Sequence, residues 1–234
     1  MTQIIKLDKS IIPSCDFPSL EKLSQLISET SDVNGVGGYK IGFESVISNG
    51  LRNVINCIRD YSDLPIIYDH QKAGTDIPEI GRNFIRVCKD VNAIILFPFG
   101  GIETEIEWIN SAREEGMPII IGGEMTHRGF LFSEGGFIDD NAPKRIYEKA
   151  VELGAKDFVV PGNKPMKIKL YRNIIERKCQ RAVYYLPGFI EQGGDISTTM
   201  KFAGERWHAI IGRAIYMQKD MHKAVKELAK GLYR

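Results

Sequence analysis

LPIIYDHQKAGTDIPEIGRNFIRVCKDVNAIILF, residues 64–97, contains one complete unit of the fold. An apolar run from Leu64 to Tyr68 leads into a polar turn. A stretch from Pro78 to Cys88 follows with apolar residues at helical spacing, and a second apolar run, Ala93 to Phe97, closes the unit. Runs that are apolar throughout belong to a sheet covered on both faces, and strand, helix, strand in this order implies parallel pairing.

Outward from this unit the same alternation covers the chain. Strand-like runs fall at Ile11 to Cys15, Gly38 to Ile41, Leu64 to Tyr68, Ala93 to Phe97, Pro118 to Ile121, Asp157 to Val160, Ala182 to Leu186 and Ala209 to Ile211. Helical patterns lie between them, including Ser19 to Ser28, Val46 to Arg59, Glu103 to Glu114, Lys144 to Leu153 and Pro165 to Glu176, and Asp220 to Leu232 comes last. Eight such units predict an α/β fold, a single (β/α)8 (TIM) barrel occupying residues 1–234 as one domain. The longest irregular stretch, Thr126 to Asn141, is a candidate lid or binding loop.

Composition narrows the function classes. Thirty-one basic residues against thirty acidic ones give a net charge of +1, so no overall field attracts nucleic acid or an anionic membrane. Cys15, Cys57, Cys88 and Cys179 are widely spaced, with no C-x-x-C pair, and read as reduced thiols. The N-terminal MTQIIKLDKS is too short and polar for a signal peptide, and no apolar run approaches a membrane span of roughly 20 residues. A cytoplasmic protein is expected.

In barrels of this kind the chemistry sits where strands hand over to loops at the C-terminal face. The conspicuous polar residues fall there: Asp16 after the first strand, Lys40 in the second, Asp69, His70, Lys72 and Asp76 after the third, and Glu124 and Thr126 after the fifth. Carboxylates crowded around lysines keep the ammonium protonated and repel a third carboxylate. Singly, each residue has an ordinary use: Asp16 could cap a helix, Lys40 could form half of an ion pair, and the third-strand cluster could be a solvated loop. The seventh and eighth loops supply parts for a phosphate cradle. Gly188, Gly193, Gly194 and Gly212 allow close backbone approach, Gln192 can donate an amide, and Arg213 carries a forked cation.

These segments together, CDFPSLEKL, YKIG, DHQKAGTDIP, EMTH, PGFIEQGGD and IIGRAIY, resemble the orotidine 5′-phosphate decarboxylases over nearly the whole chain. The resemblance implies cofactor-free decarboxylation of orotidine 5′-phosphate to uridine 5′-phosphate in pyrimidine synthesis, with no metal and no organic cofactor. It implies that Asp16 and Lys40 hold the ribose and the charged network, Thr126 the pyrimidine, and Pro187, Gln192, Gly193, Gly212 and Arg213 the phosphate end. Asp69 would press on the substrate carboxylate and Lys72 would protonate the carbanion. Asp76 and Ile77 would reach in from a second subunit, which makes the expected assembly a homodimer with shared active sites around a nucleoside monophosphate.

The third-strand motif departs from the family pattern D-x-K-x-x-D-I-P, because one extra residue stands on each side of Lys72. Residues two apart on a strand share a face, whereas Asp69 and Lys72 are three apart. A bulge that re-aims Lys72 keeps Asp69 beside it, and a register kept from the lysine backwards would place His70 there instead. Ile80 also replaces a family threonine. Two alternatives stay open: a metal-assisted ribulose- or hexulose-phosphate enzyme of the same fold, and a non-catalytic nucleotide-binding barrel.

Overall fold

The computed structural model describes residues 3–71, 73–188 and 201–233. Eight parallel strands close in sequence order, β1 against β8: β1 Lys9–Cys15, β2 Tyr39–Gly42, β3 Ile66–Asp69, β4 Ala93–Leu96, β5 Ile119–Gly122, β6 Asp157–Val159, β7 Val183–Pro187 and β8 Trp207–Ile211. The chain is thus a closed (β/α)8 barrel. Helices flank the strands on the outside: α1 Leu20–Thr30, α2 Phe43–Asn49, α3 Leu51–Arg59, α4 Ile80–Val87, α5 Ile102–Glu114, α6 Ala142–Glu152, α7 Pro165–Glu176, α8 Arg213–Tyr216 and α9 Met221–Lys230.

The strands read as uniformly apolar because both faces are buried. Ala93 and Ile95 of β4, and Phe97 just past its end, belong to the barrel interior with Ile12, Ile67 and Tyr185, while Ile94 and Leu96 pack outward against the helices. This alternation fixes which polar residues at the strand ends face the barrel axis.

Several expected boundaries shift, two of them for reasons plain in the backbone. The helical pattern from Val46 to Arg59 is two helices, broken at Gly50, whose φ of 79° lies in the left-handed region that favours glycine. β8 begins at Trp207, before the apolar run at Ala209, because Trp207 and His208 pair with Lys9 and Ser10 of β1. The loop from Thr126 to Asn141 carries a short 3₁₀ turn at Phe132–Glu134 and is tied across its base by pairing of Leu131 with Ile138.

Candidate active site

The strand ends β1, β2 and β3 converge on one ammonium group. Lys40 Nζ lies 2.9 Å from Asp16 Oδ1, 3.1 Å from Asp16 Oδ2 and 3.4 Å from Asp69 Oδ2. Register explains the meeting: Lys40 pairs with Ser14 on one side and Ile67 on the other, and Gly42 pairs with Asp69. Glycine at 42 is required here, since a Cβ at that position would stand 2.1 Å from Asp16 Oδ1.

Lys40 is 4% exposed. Burial works against its charge, yet the two carboxylates more than compensate and hold it well above the usual lysine range. Burial pushes the Asp16 carboxyl up, but the Lys40 ammonium and a 2.5 Å hydrogen bond donated by Ser14 Oγ bring it below the ordinary value. Both partners therefore stay ionised.

Asp69 projects into the barrel mouth, and His70 turns the opposite way. Ile67 and Asp69 share the interior face of β3, whereas Tyr68 and His70 share the face toward α4, where His70 Nδ1 lies 2.6 Å from the Tyr68 hydroxyl. Gln71 then adopts φ 64°, the one non-glycine residue with positive φ among those described, and its N–H donates to Asp69 Oδ1 at 3.1 Å. Lys72 lies outside the described residues, as do Gln192 and Gly193 of the seventh loop.

The network lines a cavity of about 380 Å³, within the roughly 300–1,000 Å³ usual for small-molecule sites. Thr126, Pro187, Gly212 and Arg213 line the same cavity, so four of the sequence-predicted binding residues join Asp16, Lys40 and Asp69 around one space. Thr126 is seated by Asn163, whose Nδ2 donates to its carbonyl at 3.0 Å, and by Gly188, whose left-handed backbone leaves no Cβ against the Thr126 methyl. The cavity lining brings together groups of different kind: a carboxylate–ammonium network at β1 to β3 and a guanidinium at the start of α8.

Asp76 and Ile77 do not line this cavity. Both are exposed, and their backbone is pinned to α5 instead: Thr104 Oγ1 donates to the Asp76 carbonyl at 3.0 Å and Trp108 Nε1 to the Ile77 carbonyl at 3.2 Å.

Several contributors escaped the sequence reading. Ser14 was findable, because two residues from Asp16 on a strand means the same face. Gln71 and Tyr216 also line the cavity. Glu124, singled out only by its place after the fifth strand, is a fully buried carboxylate held by Lys164 at 2.8 Å, by Lys167 at 3.5 Å and by the Tyr171 hydroxyl. Among the described residues no three His, Cys, Asp or Glu side chains gather in a way that could hold a metal ion, and no helix is long and apolar enough to cross a membrane.

Known proteins resemble the chain over most of its length. The chain is 30% identical over 200 residues to the orotidine 5′-phosphate decarboxylase of Methanosarcina mazei, covering 83% of each chain. It is 29% identical over 212 residues to that of Methanococcus maripaludis, covering 88% of this chain and 90% of the relative. The fold matches the crystal structure of orotidine 5′-monophosphate decarboxylase from Methanocaldococcus jannaschii complexed with inhibitor BMP, with a TM-score of 0.84 at 22% identity, across 97% of this chain and 99% of that one. The Pyrococcus horikoshii enzyme superposes with a TM-score of 0.79 at 22% identity, across 96% and 99% of the two chains. Residues 9–228 match the family model, and the chain belongs to the orotidine 5′-phosphate decarboxylase / HUMPS family.

Proposed function

We propose that the protein decarboxylates orotidine 5′-phosphate to uridine 5′-phosphate without a cofactor, the step that forms the uridine nucleotide in pyrimidine synthesis, and that it does so in the cytoplasm. The observation that carries this reading is the Asp16–Lys40–Asp69 network in the cavity that Arg213 also lines.

With the phosphate end on Pro187, Gln192, Gly193, Gly212 and Arg213, and the pyrimidine against Thr126, the substrate carboxylate comes to rest near Asp69. Asp69 cannot relieve the repulsion by swinging aside, since Lys40 and the Gln71 N–H each hold one of its oxygens. The C6–carboxylate bond breaks, carbon dioxide leaves, and the electron pair remains on C6. In this reading the Lys72 ammonium stabilises that pair and gives it a proton, after which solvent restores the lysine. Binding energy at the distant phosphate holds the carboxylate against the repulsion. The exposed, backbone-anchored Asp76 and Ile77 complete the site of a second copy, which makes the working form a homodimer.

The test is a spectrophotometric assay with orotidine 5′-phosphate, with and without a chelator. Turnover unchanged by chelator is the expected result. Loss of turnover with chelator would point to the metal-assisted alternative, and uridine 5′-phosphate binding without any turnover to a nucleotide-binding barrel.

A further inference from the structure

The third-strand turn exceeds what the Asp69–Lys40 contact requires, and the excess is organised around His70. β3 alternates in the usual way, Ile67 inward and Tyr68 outward. His70 extends that alternation one residue past the strand's end. Its ring packs on Tyr68 at 5.5 Å and on Phe84 of α4 at 5.6 Å between centroids, while Nδ1 meets the Tyr68 hydroxyl at 2.6 Å. Tyr68 is itself buried and stacked on Phe84 at 6.3 Å. Burial keeps its hydroxyl protonated, so Tyr68 donates and the neutral imidazole accepts on Nδ1.

The residues on both sides of Asp69 are thereby fixed to the helix layer. With Tyr68 and His70 held outward, the peptides flanking Asp69 have one orientation, and its side chain can face only the barrel axis. Immediately afterwards Gln71 reverses the chain through φ 64° and returns its N–H to Asp69 Oδ1. A non-glycine residue in that region costs of order 1 kcal/mol, so the turn persists only where its surroundings over-determine it.

We infer that His70 is a positioning residue for the decarboxylation proposed above: latched to Tyr68, it holds the Asp69 carboxylate in the cavity against Lys40. The role rests on the decarboxylase reading for its effect on rate, but the geometry it fixes is independent of that reading.

The experiment combines kinetics with a structure. His70→Ala and Tyr68→Phe are each expected to lower kcat for orotidine 5′-phosphate about tenfold, since displacement of a positioned group by an ångström can cost up to about a hundredfold. The dissociation constant of uridine 5′-phosphate should stay within about twofold, because the latch acts on the carboxylate and not on the phosphate end. The double variant should be no slower than the slower single one, because both remove the same latch. His70→Gln, whose amide oxygen can still accept from Tyr68, should recover most of the loss. Losses that multiply, or that fall equally on uridine 5′-phosphate binding, would reduce His70 to general packing and overturn the inference. In a crystal structure of His70→Ala, Asp69 should have left Lys40; an unmoved Asp69 overturns the inference whatever the kinetics. A parent protein without turnover would instead count against the decarboxylase reading, and the crystal structure would still decide the role of His70.

Discussion

Lys40 and Asp69 meet at 3.4 Å from adjacent strands, while the same ammonium holds Asp16 at 2.9 Å. The cation sits at the centre of the site's charge and is almost fully buried, with the two carboxylates less so. Lys40→Met is therefore expected to leave two carboxylates facing each other. The expected loss is roughly 3 kcal/mol of stability, at the low end for breaking a buried pair because Asp16 retains some contact with water. Denaturant unfolding measures it, and kcat/KM should fall by at least about a hundredfold. Adding Asp16→Asn should return part of the stability and none of the activity. A fully stable Lys40→Met would mean that solvent, not Lys40, balances the carboxylates.

Arg213 opens the short helix after β8 and lines the same cavity as the network. Arg213→Ala should weaken uridine 5′-phosphate by roughly 1.5–3 kcal/mol, the worth of a charge-assisted contact, and leave uridine nearly unaffected. Calorimetric titration of both ligands decides the matter, and equal losses would remove the phosphate assignment.

Shared sites predict complementation. Asp76→Asn and Lys72→Ala proteins should each be nearly inactive, and mixing them with verified subunit exchange should restore activity, because each mixed dimer contains one site with both native side chains. About a quarter of the parent activity is expected when exchange is complete and statistical. No recovery would confine Asp76 to its own barrel.

The far end of the barrel predicts how stability depends on pH. His208 is 1% exposed, bonded through Nδ1 to Ser10 Oγ at 2.8 Å, and burial together with the charge of Arg206 depresses it to about 3. A histidine depressed in the folded state contributes stability that is fully present above its unfolded value near 6.5 and is lost as pH falls toward the folded value. At pH 5 the loss is about 2 kcal/mol, from 1.5 pH units at 1.36 kcal/mol each. His208→Gln should flatten the decline between pH 6.5 and 4 in thermal unfolding. Asp157, raised by burial to about 6, acts in the other direction, since its contribution is present at low pH and fades as pH rises through 6.

The barrel was legible because burial on both faces leaves strands with no polar alternation to confuse with helices, as in IIYD and AIIL of β3 and β4. Boundaries were less so. Gly50 breaks a continuous helical pattern through a backbone angle, and Trp207 joins β8 through pairing with Lys9, a partner nearly two hundred residues away. Within the site, Asp16, Lys40, Asp69, Thr126 and Arg213 stood out as polar residues at strand ends. The support around them did not, because it is long-range: Lys164 reaches Glu124 across 40 residues and Tyr171 across 47. The outward turn of His70 depends on Phe84 being opposite, which no spacing within the motif reveals.

Thr104 and Trp108 grip the peptide carbonyls of Asp76 and Ile77, and Gly81 leaves the indole its room, for a Cβ there would stand 2.7 Å from the ring. Backbone carbonyls are the same for every amino acid. The hold of α5 on this loop thus does not depend on which side chains the loop displays, and the Asp76 carboxylate adds a local bond by accepting the Ile77 N–H at 2.7 Å. In the proposed homodimer, selection on a neighbouring copy's chemistry can act on this loop while its hold on α5 is left alone, so related barrels can diverge in substrate here. In that proposed dimer, damage to α5 would by contrast surface as a defect in another subunit's turnover.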